Sequence, residues 1–188
     1  MTAPDPRIGP DAPRAGDPRA TPGEDGGHTT LRFPGGRLGP ADWTALAGLA
    51  AAHGGEIHLA PRGVVRIPGA VGLAPDPGLP PSASAGAAPG ILASPLAGRL
   101  PGRADLGELP EELGSALAGL EDLATLAESV LFGLDDGSGD VLAHGPDLAA
   151  VAVPGTQSVR LHVAGRDSGL RSRIADAVSV LVGAAAAL

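Results

Sequence analysis

Five arginines stand where an anion could be held. Arg62 lies between Pro61 and Gly63, just ahead of the apolar run 64–67, which itself carries Arg66. Arg166, Arg171 and Arg173 cluster where a glycine-containing loop, 165–169, is expected to feed a final helix. A helix N-terminus with unpaired N–H groups, set beside guanidinium forks, receives carboxylates or phosphates well. The competing reading for either group is solvated charge balancing an acidic chain. The loop 135–140, DDGSGD, offers three carboxylates within six residues, which could gather a hard cation. Its spacing departs from the EF-hand pattern and its two glycines suit a tight turn, so a turn is the favoured expectation. The histidines His28, His53, His58, His144 and His162 are scattered without ligand spacing, so no metal site is expected from them. G-x-S-x-G, Walker, G-x-G-x-x-G and H-E-x-x-H patterns are all absent.

Composition narrows the chemistry further. The chain has 188 residues and no cysteine, which removes disulfides, thiolate nucleophiles and Cys-ligated zinc or 4Fe-4S clusters. Thirteen basic residues, all arginine, face 21 acidic ones for a formal charge of −8, so a nucleic-acid backbone is not an expected partner. Only Phe33, Trp43 and Phe132 are aromatic, too few to stack bases. No charge-free apolar run reaches the length of a membrane span, and the N-terminus lacks the pattern of a signal peptide. A cytoplasmic location is the default expectation.

The elements that must position the arginines fall into two modules. Residues 1–27 contain little that can be buried and read as a disordered tail. Residues 68–90 form a Pro/Ala/Gly-rich linker, which leaves modules at 28–67 and 91–188. In the first, a strand at 31–33 is followed by the turn Pro34-Gly35-Gly36. A helix then opens at Pro40 and closes at Gly54-Gly55, with Trp43, Leu46 and Leu49 inward beside Ala47 and Ala50. Ile57 and Leu59 alternate with Glu56 and His58 as a half-buried strand, and 64–67 forms another. In the second, Leu113, Leu117 and Leu120 mark an amphipathic helix. Strands follow at 130–134, 148–153 and 159–163, and Ile174, Val178, Leu181 and Val182 mark a closing helix. The expected class is α+β, an antiparallel sheet covered by helices on one face.

Some of these segments resemble a known family. LRFPGGRL (31–38), then a helix, then HLAPRGVVRIPG (58–69), resembles the ferredoxin-like half-domain of nitrite and sulfite reductases. ILASPLAGR (91–99), VLFGLDDGSGDV (130–141) and AGRDSGLR (164–171) resemble the precorrin-3B synthase branch, oxygen-using oxidoreductases of cobalamin biosynthesis. The resemblance implies a ferredoxin-like half-domain at 28–67 followed by an α/β sirohaem-reductase half-domain at 91–188. It also implies a tetrapyrrole, sirohaem or precorrin, whose carboxylates pair with Arg62, Arg66, Arg166 and Arg171. Arg62 takes the place of the arginine in the family's Thr-x-Arg segment, and Ala60 stands where the threonine belongs. Val64 and Arg66 replace an Asn and a Gln, and Pro89-Gly90 replaces an Arg-Asn pair. The cluster cysteines of such families lie in a second half. The implied partner is therefore a Cys-bearing second chain or, as a homodimer, another copy of this one. This chain alone is not expected to be catalytic. The alternatives are a non-catalytic tetrapyrrole-binding protein and a degenerate paralogue.

Overall fold

The computed structural model describes residues 27–70, 83–85, 88–119 and 130–187. The expected tail, except for Gly27, lies outside them. So do residues 71–82 and 86–87 of the expected linker and Leu120 of the expected helix.

The first unit is a four-stranded antiparallel sheet with one helix. Its strands β1 (His28–Arg32), β2 (His58–Ala60), β3 (Val64–Pro68) and β4 (Ser84–Ala85) lie in the order β2-β3-β1-β4. β4 falls inside the stretch expected to be linker, which thus supplies an edge strand. Helix α1 (Pro40–Ala52) places proline where its missing N–H costs nothing, and Asp42 Oδ2 accepts the Gly39 N–H at 2.8 Å. Gly54 and Gly55, both at positive φ, turn the chain away at its end. Leu46 packs with Leu31, Phe33, Val65, Ile67 and Ala70 in a small core.

Three expected core residues, Trp43, Ala47 and Leu59, point elsewhere. The buried stripe of α1 is Asp42, Leu46 and Ala50, and Trp43, one residue round the helix, is 44% exposed. An Ala- and Leu-rich helix is apolar on nearly every side, so periodicity could not select the inward face. Leu59 is 70% exposed because β2 is an edge strand with a single neighbour.

The second unit holds β5 (Gly90–Ala93), α2 (Leu109–Ala118), β6 (Leu131–Asp135), β7 (Leu148–Ala152), β8 (Ser158–Val163), β9 (Arg166–Arg173) and α3 (Ala177–Ala185). The strands lie in chain order, but the sheet is mixed rather than antiparallel: β5–β6 and β6–β7 are parallel, β7–β8 and β8–β9 antiparallel. The unbroken burial of β6 belongs to a parallel strand covered on both faces. Leu113, Leu117 and Leu181 are buried as expected, against Phe132, Leu134, Leu148, Val159 and Leu161.

The largest correction concerns residues 166–173. They are a strand, not a loop feeding a helix, and α3 begins only at Ala177 after a short 3-10 turn. Ala164 (φ 48°) and Gly165 (φ 75°) form the two-residue reversal that joins β8 to β9. The exposure and polarity of 166–173 had hidden its strand character.

The units meet at Pro34-Gly35-Gly36, which packs on β5 and α2. A Cβ on Gly35 would come within 3.0 Å of both Ala93 Cβ and Pro110 Cβ, and one on Gly114 within 2.9 Å of Pro34 Cγ. Arg37 Nη1 donates to the Gly107 carbonyl across the same joint.

Candidate functional site

The turn Pro61-Arg62-Gly63 links β2 to β3 and holds Arg62 at φ 66°. Left-handed backbone at a non-glycine residue costs roughly 1–2 kcal/mol. Ala164 is the other such residue among those described, and its hairpin turn explains it. At Arg62 the backbone is fixed by its neighbour: the Phe33 N–H donates to Gly63 O at 2.8 Å, and Gly63 is packed against Phe33 and Gly36. The turn is therefore pinned while the Arg62 side chain stands in solvent.

Arg66 lies on the face of the first sheet opposite the buried Val65 and Ile67. In register it sits between Thr30 on β1 and His58 on β2. Arg32, two residues beyond Thr30, shares that helix-free face. Its Nε is buried with no hydrogen-bond acceptor. His58 Nε2 and Glu56 Oε2 are 3.3 Å apart.

Arg166 and Arg171 are exposed on β9, at the edge of the second sheet. The first unit packs on β5, the opposite edge, so four strand spacings of about 4.8 Å separate the two edges. The four arginines that the resemblance assigns to a ligand thus form two separate pairs, Arg62 with Arg66 and Arg166 with Arg171, while Arg173 closes β9. Neither pair stands at a helix N-terminus. Beside Arg171, β8 adds Arg160 directly opposite it and His162 opposite Asp167. Arg160 Nη1 lies 3.6 Å from Asp167 Oδ2. The Gly169 N–H bonded to Asp167 holds that carboxyl below its usual range; slight desolvation opposes this, and His162, Arg160 and Arg171 reinforce it.

No sequence motif marks Arg32, Arg160 or His162 as a ligand contact. Strand alternation against Val159 and Leu161 already placed Arg160 and His162 on an outer face. Arg32 has no such signal, standing just ahead of the turn Pro34-Gly35-Gly36.

The loop 135–140 follows β6, and its carboxylates build it. Asp135 is fully buried and accepts four backbone N–H groups: Gly137 at 2.9 Å, Gly139 at 3.0 Å, Val141 at 3.1 Å and Leu142 at 3.2 Å. Asp136 accepts the Ser138 N–H at 2.9 Å. Ser94 Oγ donates to Asp140 at 2.6 Å and accepts the Asp136 N–H at 3.0 Å. One oxygen from each of Asp135, Asp136 and Asp140 lies within 4.8 Å of the others. Their engagement with the backbone is that of a structured turn. Burial raises the Asp140 pKa, but the hydrogen bonds from Ser94, Ser138 and Val141 and the charge of Arg103 outweigh it, leaving the carboxyl below its ordinary value.

A cleft of about 790 Å³ opens where the units meet, between residues 35–42 and 94–111. Its ionisable lining is Arg37 and Arg99 against Asp42, Asp105, Glu108 and Glu111. A ligand rich in carboxylates would meet more like charge than unlike there.

No helix among the described residues is long and apolar enough to cross a membrane. Residues 21–71 match the family model of the nitrite/sulfite reductase ferredoxin-like half domain. That span takes in β1, α1, β2 and β3, and with them Arg32, Arg62 and Arg66. No curated protein and no solved structure matches the chain.

Proposed function

We propose that this chain is a precorrin-3B synthase-like protein that holds a carboxylate-rich tetrapyrrole against the helix-free face of its first sheet. The observation that carries this reading is the buried Arg32 Nε without an acceptor, on the same face as Arg66 and within the segment that matches the reductase half domain. A buried, unsatisfied donor costs about 1–3 kcal/mol, and a ligand carboxylate would remove that cost. Arg66 supplies a second guanidinium and Arg62 a third, presented at the fixed tip of the β2–β3 turn. Guanidinium forks pair bidentately with carboxylates, so three of them set the orientation of a flat polyacid as well as its affinity.

When bound, the macrocycle supplies the conjugated ring on which the family's oxidoreductase chemistry takes place. The chain's own part is to bind and orient. The 188 residues contain no thiolate for an iron–sulfur cluster, so cluster ligands come from outside them. A Cys-bearing second chain would supply them and complete the pocket, whereas a second copy of this one would complete it without a cluster. In this reading Arg166 and Arg171 belong to a separate cationic edge.

The second reading is a non-catalytic tetrapyrrole carrier or degenerate relative. The degenerate form of that reading is favoured by the cleft, whose four carboxylates against two guanidiniums suit no polyacid.

An absorbance titration with sirohaem tests the proposal. The wild type should give a saturable, red-shifted spectrum, and Arg62→Ala or Arg66→Ala should weaken binding by about 1.5–3 kcal/mol. An unchanged affinity in both variants overturns the assignment of this face. Purification from the native source should also bring down a Cys-bearing protein or show a dimer, and a bare monomer would speak for the carrier.

A further inference from the structure

We infer that the open face of β8 and β9 is a receptor for a small oxyanion, a phosphate or carboxylate group, held by Arg160, His162 and Arg171. This site is on the second sheet and does not depend on the tetrapyrrole reading. On β8, Val159 and Leu161 turn toward α2 and α3 in the core, so Arg160 and His162 project from the other face. The register sets Arg171 directly opposite Arg160 and Asp167 opposite His162.

Two nitrogens on this face are out of water and unused. Arg160 Nε and His162 Nδ1 are both buried and have no hydrogen-bond partner. Ordinary solvated surface charge leaves no buried nitrogen unpaired, because the desolvation would go uncompensated. The charge balance points the same way. Two guanidiniums and an imidazole face one carboxylate, and Asp167 approaches Arg160 only to 3.6 Å. The Gly169 N–H already occupies Asp167 Oδ1 at 2.8 Å.

The ladder is irregular at this point as well. Residues 160 and 162 of β8 face 171 and 167 of β9, so β9 carries extra residues between them. Ser168 Oγ ties that arch to the Leu161 carbonyl at 2.8 Å. A fixed arch beside unsatisfied donors is what a small planar or tetrahedral oxyanion requires. Arg160 would offer Nε together with an Nη in a two-point fork, and His162 a ring N–H.

The test is an NMR titration of the full chain with inorganic phosphate and, separately, with acetate, ionic strength being held constant with sodium chloride. Saturable shifts centred on residues 158–173 and on the His162 ring are expected. Arg160→Gln should raise the phosphate Kd roughly tenfold or more. Asp167→Asn, which removes the resident counter-charge, should lower it, and Arg99→Gln, in the cleft where the units meet, should leave it unchanged. If Arg160→Gln loses its spectral dispersion, Arg171→Gln on the exposed strand makes the same measurement. Saturation by phosphate alone assigns a phosphate group, and saturation by acetate as well assigns a general oxyanion receptor. Shifts that rise linearly without saturating, that centre on Arg32 and Arg66, or that survive Arg160→Gln unchanged overturn the inference.

Discussion

Gly63 lies backbone to backbone against Gly36. A Cβ on Gly63 would stand 2.9 Å from Gly36 Cα and 2.5 Å from the Phe33 carbonyl oxygen. The hairpin tip that presents Arg62 and the turn that joins the two units are thus one rigid corner. Gly63→Ala is expected to cost at least about 2 kcal/mol, from the left-handed backbone and the backbone clash together. Gly48→Ala is the control: Gly48 is helical, nothing lies within 4 Å of its missing Cβ, and the change should stabilise by up to about 1 kcal/mol. Urea midpoints of the two variants should move in opposite directions.

Asp135 makes a second stability prediction. Its carboxylate satisfies four N–H groups of the loop that carries the chain from β6 to β7. Asp135→Ala would leave buried donors without partners and should cost about 3 kcal/mol or more. Asp135→Asn keeps one acceptor oxygen and should fall between it and the wild type. Equal melting temperatures for all three proteins would contradict this account of the loop.

The pH dependence follows from Asp140. Its folded-state pKa lies below the ordinary value of 3.8, so its ionised form is favoured by folding. The stability this contributes is fully present above that ordinary value and is lost as pH falls through the lower, folded value. Denaturation midpoints of the wild type should therefore decline below about pH 4 more steeply than those of Asp140→Asn. Ser94→Ala removes the strongest of the lowering hydrogen bonds and should move the Asp140 titration upward, readable by carboxyl-carbon NMR.

Trp43 and Leu46 separate the two faces of α1. Leu46 is fully buried and Leu46→Ala should cost about 2–5 kcal/mol. Trp43→Ala should cost under about 1 kcal/mol. A large loss at Trp43 would mean that the helix is turned the other way in solution.

That pair also shows where the sequence was legible. The start of α1 at Pro40, its end at Gly54-Gly55 and the strands around Val65, Leu134 and Leu161 follow from local chemistry and alternation. These were readable residue by residue. The inward face of α1 was not, because alanine and leucine on every side give no direction and a single carboxylate, Asp42, took the inward place. Parallel pairing of β5, β6 and β7 was equally hidden, since it depends on contacts between distant segments. β9 escaped for the opposite reason: an exposed edge strand needs no apolar residues, so its composition reads as loop. Of the four arginines expected to bind a ligand, the sequence placed Arg62 and Arg66 on neighbouring elements. Only the register showed that Arg166 and Arg171 stand on another sheet, beside Arg160.

The place of β4 has a consequence for how the chain is divided. By position it follows residues 71–82, yet it pairs with β1, Leu31 against Ala85 and Arg32 against Ser84. A proteolytic nick within 71–82 would leave an N-terminal piece lacking an edge of its sheet and a C-terminal piece carrying that edge. The two pieces would be complementing fragments rather than independent domains, held by strand donation and by the joint at Pro34-Gly35-Gly36.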